Sequence, residues 1–196
     1  AIAIASALLH ATTPEGDPAL TMQEILGLIA TILSAGSTST AHLIAMMFRE
    51  LLRNRDQWEE LAADRSLVKN AVEESLRIRT PVHGVVRTTN RDVELHGVTI
   101  PADSDVYLYY ASAQRDGSVF ADPDRFDIHR QDVYKHYAFG RFVHVCLGAS
   151  LARMAAEEPL IAFLDRLPQI ELVAGQPENW TPNILSPGLQ SLMATW

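Results

Sequence analysis

Cys146 is the chain's one cysteine, and it stands in YAFGRFVHVCLGASLAR, residues 137 to 153. Gly140 precedes it and Gly148 follows two residues on, just ahead of a helix-like run. A lone cysteine is more often a small buried hydrophobe than a reactive group. The surroundings favour reactivity here. Gly140 permits a tight backbone approach to a flat partner, and Gly148 opens the helix with no side chain beside the sulfur. A helix N-terminus presents backbone N–H groups and favours negative charge, which suits an anionic sulfur. A soft sulfur ligand of this kind suits a haem iron, which is tuned by hydrogen bonds to that sulfur.

Three other stretches carry polar groups in arresting places. In EESLR, Glu74 and Arg77 are three apart, so on a helix they share a face and pair. As a surface pair they would contribute under about 1 kcal/mol. In SAGSTST, residues 34 to 40, small and hydroxyl residues interrupt an otherwise apolar run, at a cost of about 1 kcal/mol for the glycine relative to alanine. A small-residue packing notch is the plain explanation. In PVHGVVRTTNRDVEL, Arg87 lies in a strand-like alternation, where an arginine is commonly a solvated edge charge. His10, His42, His96, His129 and His136 show no metal-ligand spacing.

These residues need a scaffold, and the chain's 196 residues suffice for one domain over 1–196. A net charge of −8 argues against nucleic acid as a partner. One cysteine allows no internal disulfide and fits a reducing, cytoplasmic location. The opening AIAIASALL lacks a basic leader, and no uninterrupted apolar run reaches the roughly 18 residues of a membrane span. That opening reads as a helix already under way, which suggests residues ahead of Ala1.

The fold class read from the pattern is mainly α with a minor β-sheet. Thr21 and Glu24 in TMQE form a capping box, and the helix they open is apolar nearly all round, the mark of a buried helix. Helices follow over 56–63 and about 66–78, stopped by Pro81. From Val82 the pattern alternates in VHGVVRTT, DVELHGVTI and SDVYLYYAS, with His96-Gly97 as a hairpin turn. Residues 114–142 read as a long loop, 147–167 as a helix kinked at Pro159, and the end as short strands and turns.

Taken together, FGRFVHVCLG resembles the haem-binding signature of the cytochrome P450 family. EESLR resembles that family's E-x-x-R helix, DPDRFD its meander loop, and SAGSTST the notch of its central helix, all in family order. The resemblance runs from about Leu20 to the last residue and covers the carboxy-terminal portion of the fold. It implies haem b, with Cys146 as the axial thiolate ligand of the iron. Phe139, Gly140 and Gly148 would shape the loop, and His144 and Arg87 would meet the haem propionates. Glu74, Arg77 and Arg125 would form a buried structural triad. Ala35 and Gly36 would open a dioxygen notch, with Ser39 as the alcohol and Thr38 where the family has an acid. Val82, His83, Val85, Ile184 and Leu185 would line the substrate.

The resemblance further implies a monooxygenase that inserts one atom of dioxygen into an apolar organic substrate, in secondary metabolism, with electrons from a ferredoxin and its reductase. Basic residues near the cysteine loop, Arg125, Arg130, Lys135, Arg141 and Arg153, would either steer an acidic carrier or form a solvated face. The altered Thr38 and Ser39, and Phe142 where the family has glycine, keep two alternatives open. One is a non-catalytic partner protein on the same fold; the other is a peroxide-driven haem-thiolate enzyme.

Overall fold

The computed structural model describes residues 2–196. Its contacts divide the chain into two compact units, one ending at Thr38 and the other Ser39–Trp196, and the boundary falls inside a continuous helix.

In the first unit, α1 (Ile2–Leu9) is followed by a tight loop and then by the start of α2 (Met22–Arg53). The expected capping box is present. The Thr21 amide and hydroxyl each donate to Glu24 Oε2 at 2.8 Å, and the Glu24 amide donates to Thr21 Oγ1 at 3.3 Å. The reciprocal bonds satisfy amides that a helix start leaves unpaired.

The second unit is built on the C-terminal half of α2, with α3 (Arg55–Ala63), α4 (Val68–Ile78) and α6 (Ala149–Arg166). Leu43, Met47 and Leu51 from α2 pack with Trp58 and Leu61 from α3, Val72 and Leu76 from α4, and Leu160 and Leu164 from α6. Phe48 joins two aromatic neighbours, with ring centroids 4.7 Å from Phe163 and 6.2 Å from Trp58. The all-round burial expected of α2 therefore holds for its second half, while Leu26, Leu28, Ile32 and Leu33 are exposed. By length and composition alone α2 is long and apolar enough to cross a membrane, although SAGSTST interrupts its apolar run. Its C-terminal half is part of the protein core.

The sheet is small. β1 (Gly84–Thr88) pairs antiparallel with β4 (Asp105–Tyr109), placing Arg87 opposite Val106. Between them β2 (Val93–Leu95) and β3 (Val98–Ile100) form the predicted hairpin. Its turn residues His96 and Gly97 have φ of 49° and 78°, the pair of positive values that a two-residue hairpin turn with the right twist needs. After β4 comes one helical turn, α5 (Tyr110–Ala113), then a long irregular segment up to α6. The tail adds β5 (Glu171–Leu172) and β6 (Ala194–Thr195).

The irregular segment is ordered by side chains that serve its backbone. Gln57 donates to Phe126 O at 3.0 Å and accepts from the Ile128 amide at 2.9 Å. Asn70 donates to Ile128 O at 2.5 Å. A loop buried this way needs such partners, because its own peptide groups make no ladder. α6 runs through Pro159 without a break.

Candidate functional site: the cysteine loop and its supports

Cys146 is exposed, two residues before Gly148, the N-cap of α6. Its amide donates to Phe139 O at 2.8 Å, and its own carbonyl accepts from Ala149 at 3.3 Å. The loop is thus closed on itself below the sulfur. Gly140 has φ +69°, and a Cβ there would lie 3.4 Å from His144 O, so glycine suits both the angle and the space. A Cβ on Gly148 would stand 3.9 Å from Sγ, leaving the approach to the sulfur clear. Phe142, where the family resemblance leads one to expect glycine, adopts φ +58° and is 92% exposed. The loop therefore keeps a left-handed conformation and accepts the strain of a bulky residue in it.

The loop and the start of α6 expose the apolar side chains of Phe142, Val143, Val145, Leu147 and Leu151, along with the polar Arg141 and His144. A flat apolar group with an iron at its centre fits this face. The soft sulfur supplies the ligand and the glycines leave room for a close approach, so the residues present suit a haem. His144 is exposed on the same loop. Arg87 is exposed on β1, donates to Val86 O at 2.8 Å, and has no carboxylate partner among the described residues.

The Glu74–Arg77 pair on α4 is not a surface pair. Glu74 is 0% and Arg77 1% exposed. Arg77 Nε and Nη2 each donate to Glu74 at 2.7 Å, a two-pronged contact. The rest of the guanidinium donates to the carbonyls of Gln114, Pro123 and Arg125. The third charge is not Arg125. The side chain that completes the cluster is Arg130, whose Nε lies 3.1 Å from Glu74 Oε2. Arg125 contributes only its carbonyl, at 3.1 Å from Arg77 and 3.0 Å from Arg130, and the residue itself is exposed. Motif position alone pointed to Arg125; the arginine five residues on is the one turned inward. With every donor and acceptor met, a buried ion cluster of this kind holds its neighbours in one arrangement.

A second cluster, absent from the sequence reading, sits beside the first. Glu73 accepts from Arg153 Nε, from Arg153 Nη2 at 3.0 Å and from His136 Nε2 at 2.8 Å. Burial pushes the Glu73 carboxyl up, but the hydrogen bonds from His136 and Arg153 and the charge of Arg153 outweigh it and hold the group below its ordinary value. The doublet Glu73-Glu74 was the available signal. Neighbours on a helix point about 100° apart, so two adjacent acids serve two different clusters. Of the five basic residues expected on the loop's rim, Arg130 and Arg153 are consequently committed to buried carboxylates, while Arg125, Lys135 and Arg141 are exposed.

The two segments expected to line the substrate come together. The His83 amide donates to Leu185 O at 2.7 Å, and Ser186 Oγ donates to Pro81 O at 2.8 Å. Val82, His83 and Val85 are half-buried; Ile184 and Leu185 are exposed. His83 also lines a cavity of about 680 Å³ together with Arg79, Arg115, Tyr109 and Trp180. Burial, helped by the charges of Arg79 and Arg115, pushes the His83 imidazole down from its ordinary value. Ser39 is half-buried at the start of the second unit, and Ala35, Gly36 and Thr38 are exposed at the end of the first. Ser37 Oγ turns back to Leu33 O at 2.8 Å.

The family model for cytochrome P450 matches residues 2–181, and the chain belongs to the cytochrome P450 family. It is 40% identical to the cytochrome P450 monooxygenase PikC of Streptomyces venezuelae, over 97% of this chain and 46% of that protein. The solved structure of CYP109E1 from Bacillus megaterium in complex with corticosterone superposes with a TM-score of 0.90 at 35% identity, over 96% of this chain and 50% of that one. CYP109Q5 from Chondromyces apiculatus gives 0.88 at 41% identity, over 95% and 47%. The chain thus spans about half the length of the relatives it matches. Haem b is the cofactor of this family.

Proposed function

We propose that the protein is a haem-thiolate monooxygenase in which Cys146 Sγ would hold the iron of haem b. The observation that carries this reading is the exposed Cys146 thiol, in a loop closed by its own amide bond to Phe139 and backed by a buried ion cluster. When bound, the haem supplies the binding and cleavage of dioxygen, with the thiolate donating electron density. The chain's own residues do the rest. Phe139 packs beside the sulfur, Gly140 and Gly148 give the flat group room, and Arg87 and His144 meet its carboxylates with charge-assisted bonds. Ala35 and Gly36 leave a notch in the central helix. Ser39 is the hydroxyl that would pass protons onward through water, with Thr38 as an uncharged neighbour. Glu74, Arg77 and Arg130 would order the meander that leads into the loop.

The substrate class is an apolar organic molecule, met by Val82, His83, Val85, Ile184 and Leu185; the steroid bound by CYP109E1 is consistent with a bulky apolar guest. A place in secondary metabolism and a cytoplasmic location belong to the same proposal. One oxygen atom enters the substrate and the other leaves as water, so each turnover consumes two electrons and two protons. A ferredoxin with its reductase supplies the electrons, docking by its acidic surface at the exposed Arg125, Lys135 and Arg141.

The test is to purify the protein from cells supplied with haem and record the ferrous–carbon monoxide spectrum. The red-shifted band of a thiolate ligand is expected, and Cys146→Ser should abolish it. Well-folded protein without that band would favour the non-catalytic reading instead. Thr38 in place of an acid favours a peroxide-driven second reading, which turnover with hydrogen peroxide but not with ferredoxin would establish.

A further inference from the structure

We infer that Glu73, acting through His136 and Arg153, is a positioning residue for the Cys146 sulfur. The carboxylate is 2% exposed. One of its neighbours, His136, stands just before the cysteine loop; the other, Arg153, stands in the first turns of α6 just after it. A single buried acid on α4 therefore fastens both ends of the segment that carries the thiol. From each end a contact continues inward. The His136 ring donates from Nε2 to Glu73 and accepts at Nδ1 from the Ala138 amide at 3.2 Å. The two contacts together assign the tautomer with hydrogen on Nε2. The Arg153 guanidinium carbon lies 4.5 Å above the Phe139 ring. Phe139 in turn accepts the Cys146 amide at 2.8 Å.

The path from Glu73 to the sulfur's own backbone thus has three links: carboxylate to guanidinium, guanidinium to ring, and ring residue to the cysteine amide. No such path leads from Glu74, whose partners fasten the meander between Gln114 and Arg130. The adjacent acids divide the work, one ordering the approach to the loop and one the loop itself.

The inference rests on the haem-thiolate reading for its consequence, but its geometry is tested without it. The experiment takes haem-supplied wild type, Glu73→Gln, Arg153→Lys and, as a control at the far end of α6, Asp165→Asn, which removes the exposed pair with Arg65. Two quantities are measured: amide hydrogen exchange at Ala138 and Cys146, and the share of the ferrous–carbon monoxide spectrum in the thiolate band. Glu73→Gln and Arg153→Lys should speed exchange at both amides at least tenfold and lower the thiolate share, with Asp165→Asn unchanged. Wild-type exchange and spectrum in folded Glu73→Gln or Arg153→Lys would overturn the inference, as would equal acceleration in Asp165→Asn. If Glu73→Gln does not fold, Arg153→Lys, which keeps the charge but loses the forked contact, decides alone. A wild type with no thiolate band would sink the haem reading, and the exchange rates would still settle whether Glu73 holds the loop.

Discussion

The cysteine loop and the buried ion clusters are opposites in construction. In the Glu74–Arg77–Arg130 cluster every charged group is buried and bonded, and the surrounding carbonyls are used up as acceptors. In the loop, residues 141 to 147 are exposed, the side chains at 142, 143, 145 and 147 are apolar, and one residue holds a left-handed backbone angle without being glycine. The difference shows where rigidity is placed. The polar interior is complete in itself and keeps one shape, whereas the loop presents apolar surface and a ligand atom outward. A protein that must seat a large flat cofactor gains from that division, because the support stays in place while the seat remains accessible.

The contrast can be broken from its rigid side. Arg77→Met leaves the Glu74 carboxylate buried with its main partner gone, and breaking a buried pair costs about 3–5 kcal/mol. The variant should be unfolded or far less stable to urea, whereas the exposed His129–Glu60 contact should tolerate His129→Met. It can be sharpened from the loop side. Phe142→Gly relieves the left-handed angle and should stabilise the loop by about 1–2 kcal/mol, seen as slower loop exchange and tighter haem retention. The smallest effect concerns pH. Because the Glu73 carboxyl is held below its ordinary value of 4.5, the folded state favours its ionised form. That contribution is fully present above the ordinary carboxylate range and is lost as pH falls from 4.5 through the lowered folded value. Urea midpoints measured downward from pH 6 should therefore fall less steeply in Glu73→Gln than in the wild type.

Much of the architecture was legible because it is local. The capping box at Thr21, the hairpin turn at His96-Gly97 and the stop before Pro81 depend on residues within a few positions of one another, and the structure shows each of them. The cysteine loop was legible for the same reason, since its glycines, sulfur and helix start are contiguous. The third charge was misassigned because DPDRFDIHR offers two arginines, and spacing along an irregular segment does not say which one turns inward. Glu73, His136 and Arg153 were unreadable as a set, because 80 residues separate Glu73 from Arg153.

By itself the sequence determined the mainly helical class, the family and the thiol on which the proposed chemistry turns, since periodicity, capping and contiguous motifs act at short range. Only the tertiary structure decided that Arg130 rather than Arg125 closes the first cluster, that a second acid ties down both ends of the cysteine loop, and that Phe142 takes a glycine's conformation. These depend on which distant side chains are desolvated together, and the free energy of a buried charge is set by its partners in space rather than by its neighbours along the chain.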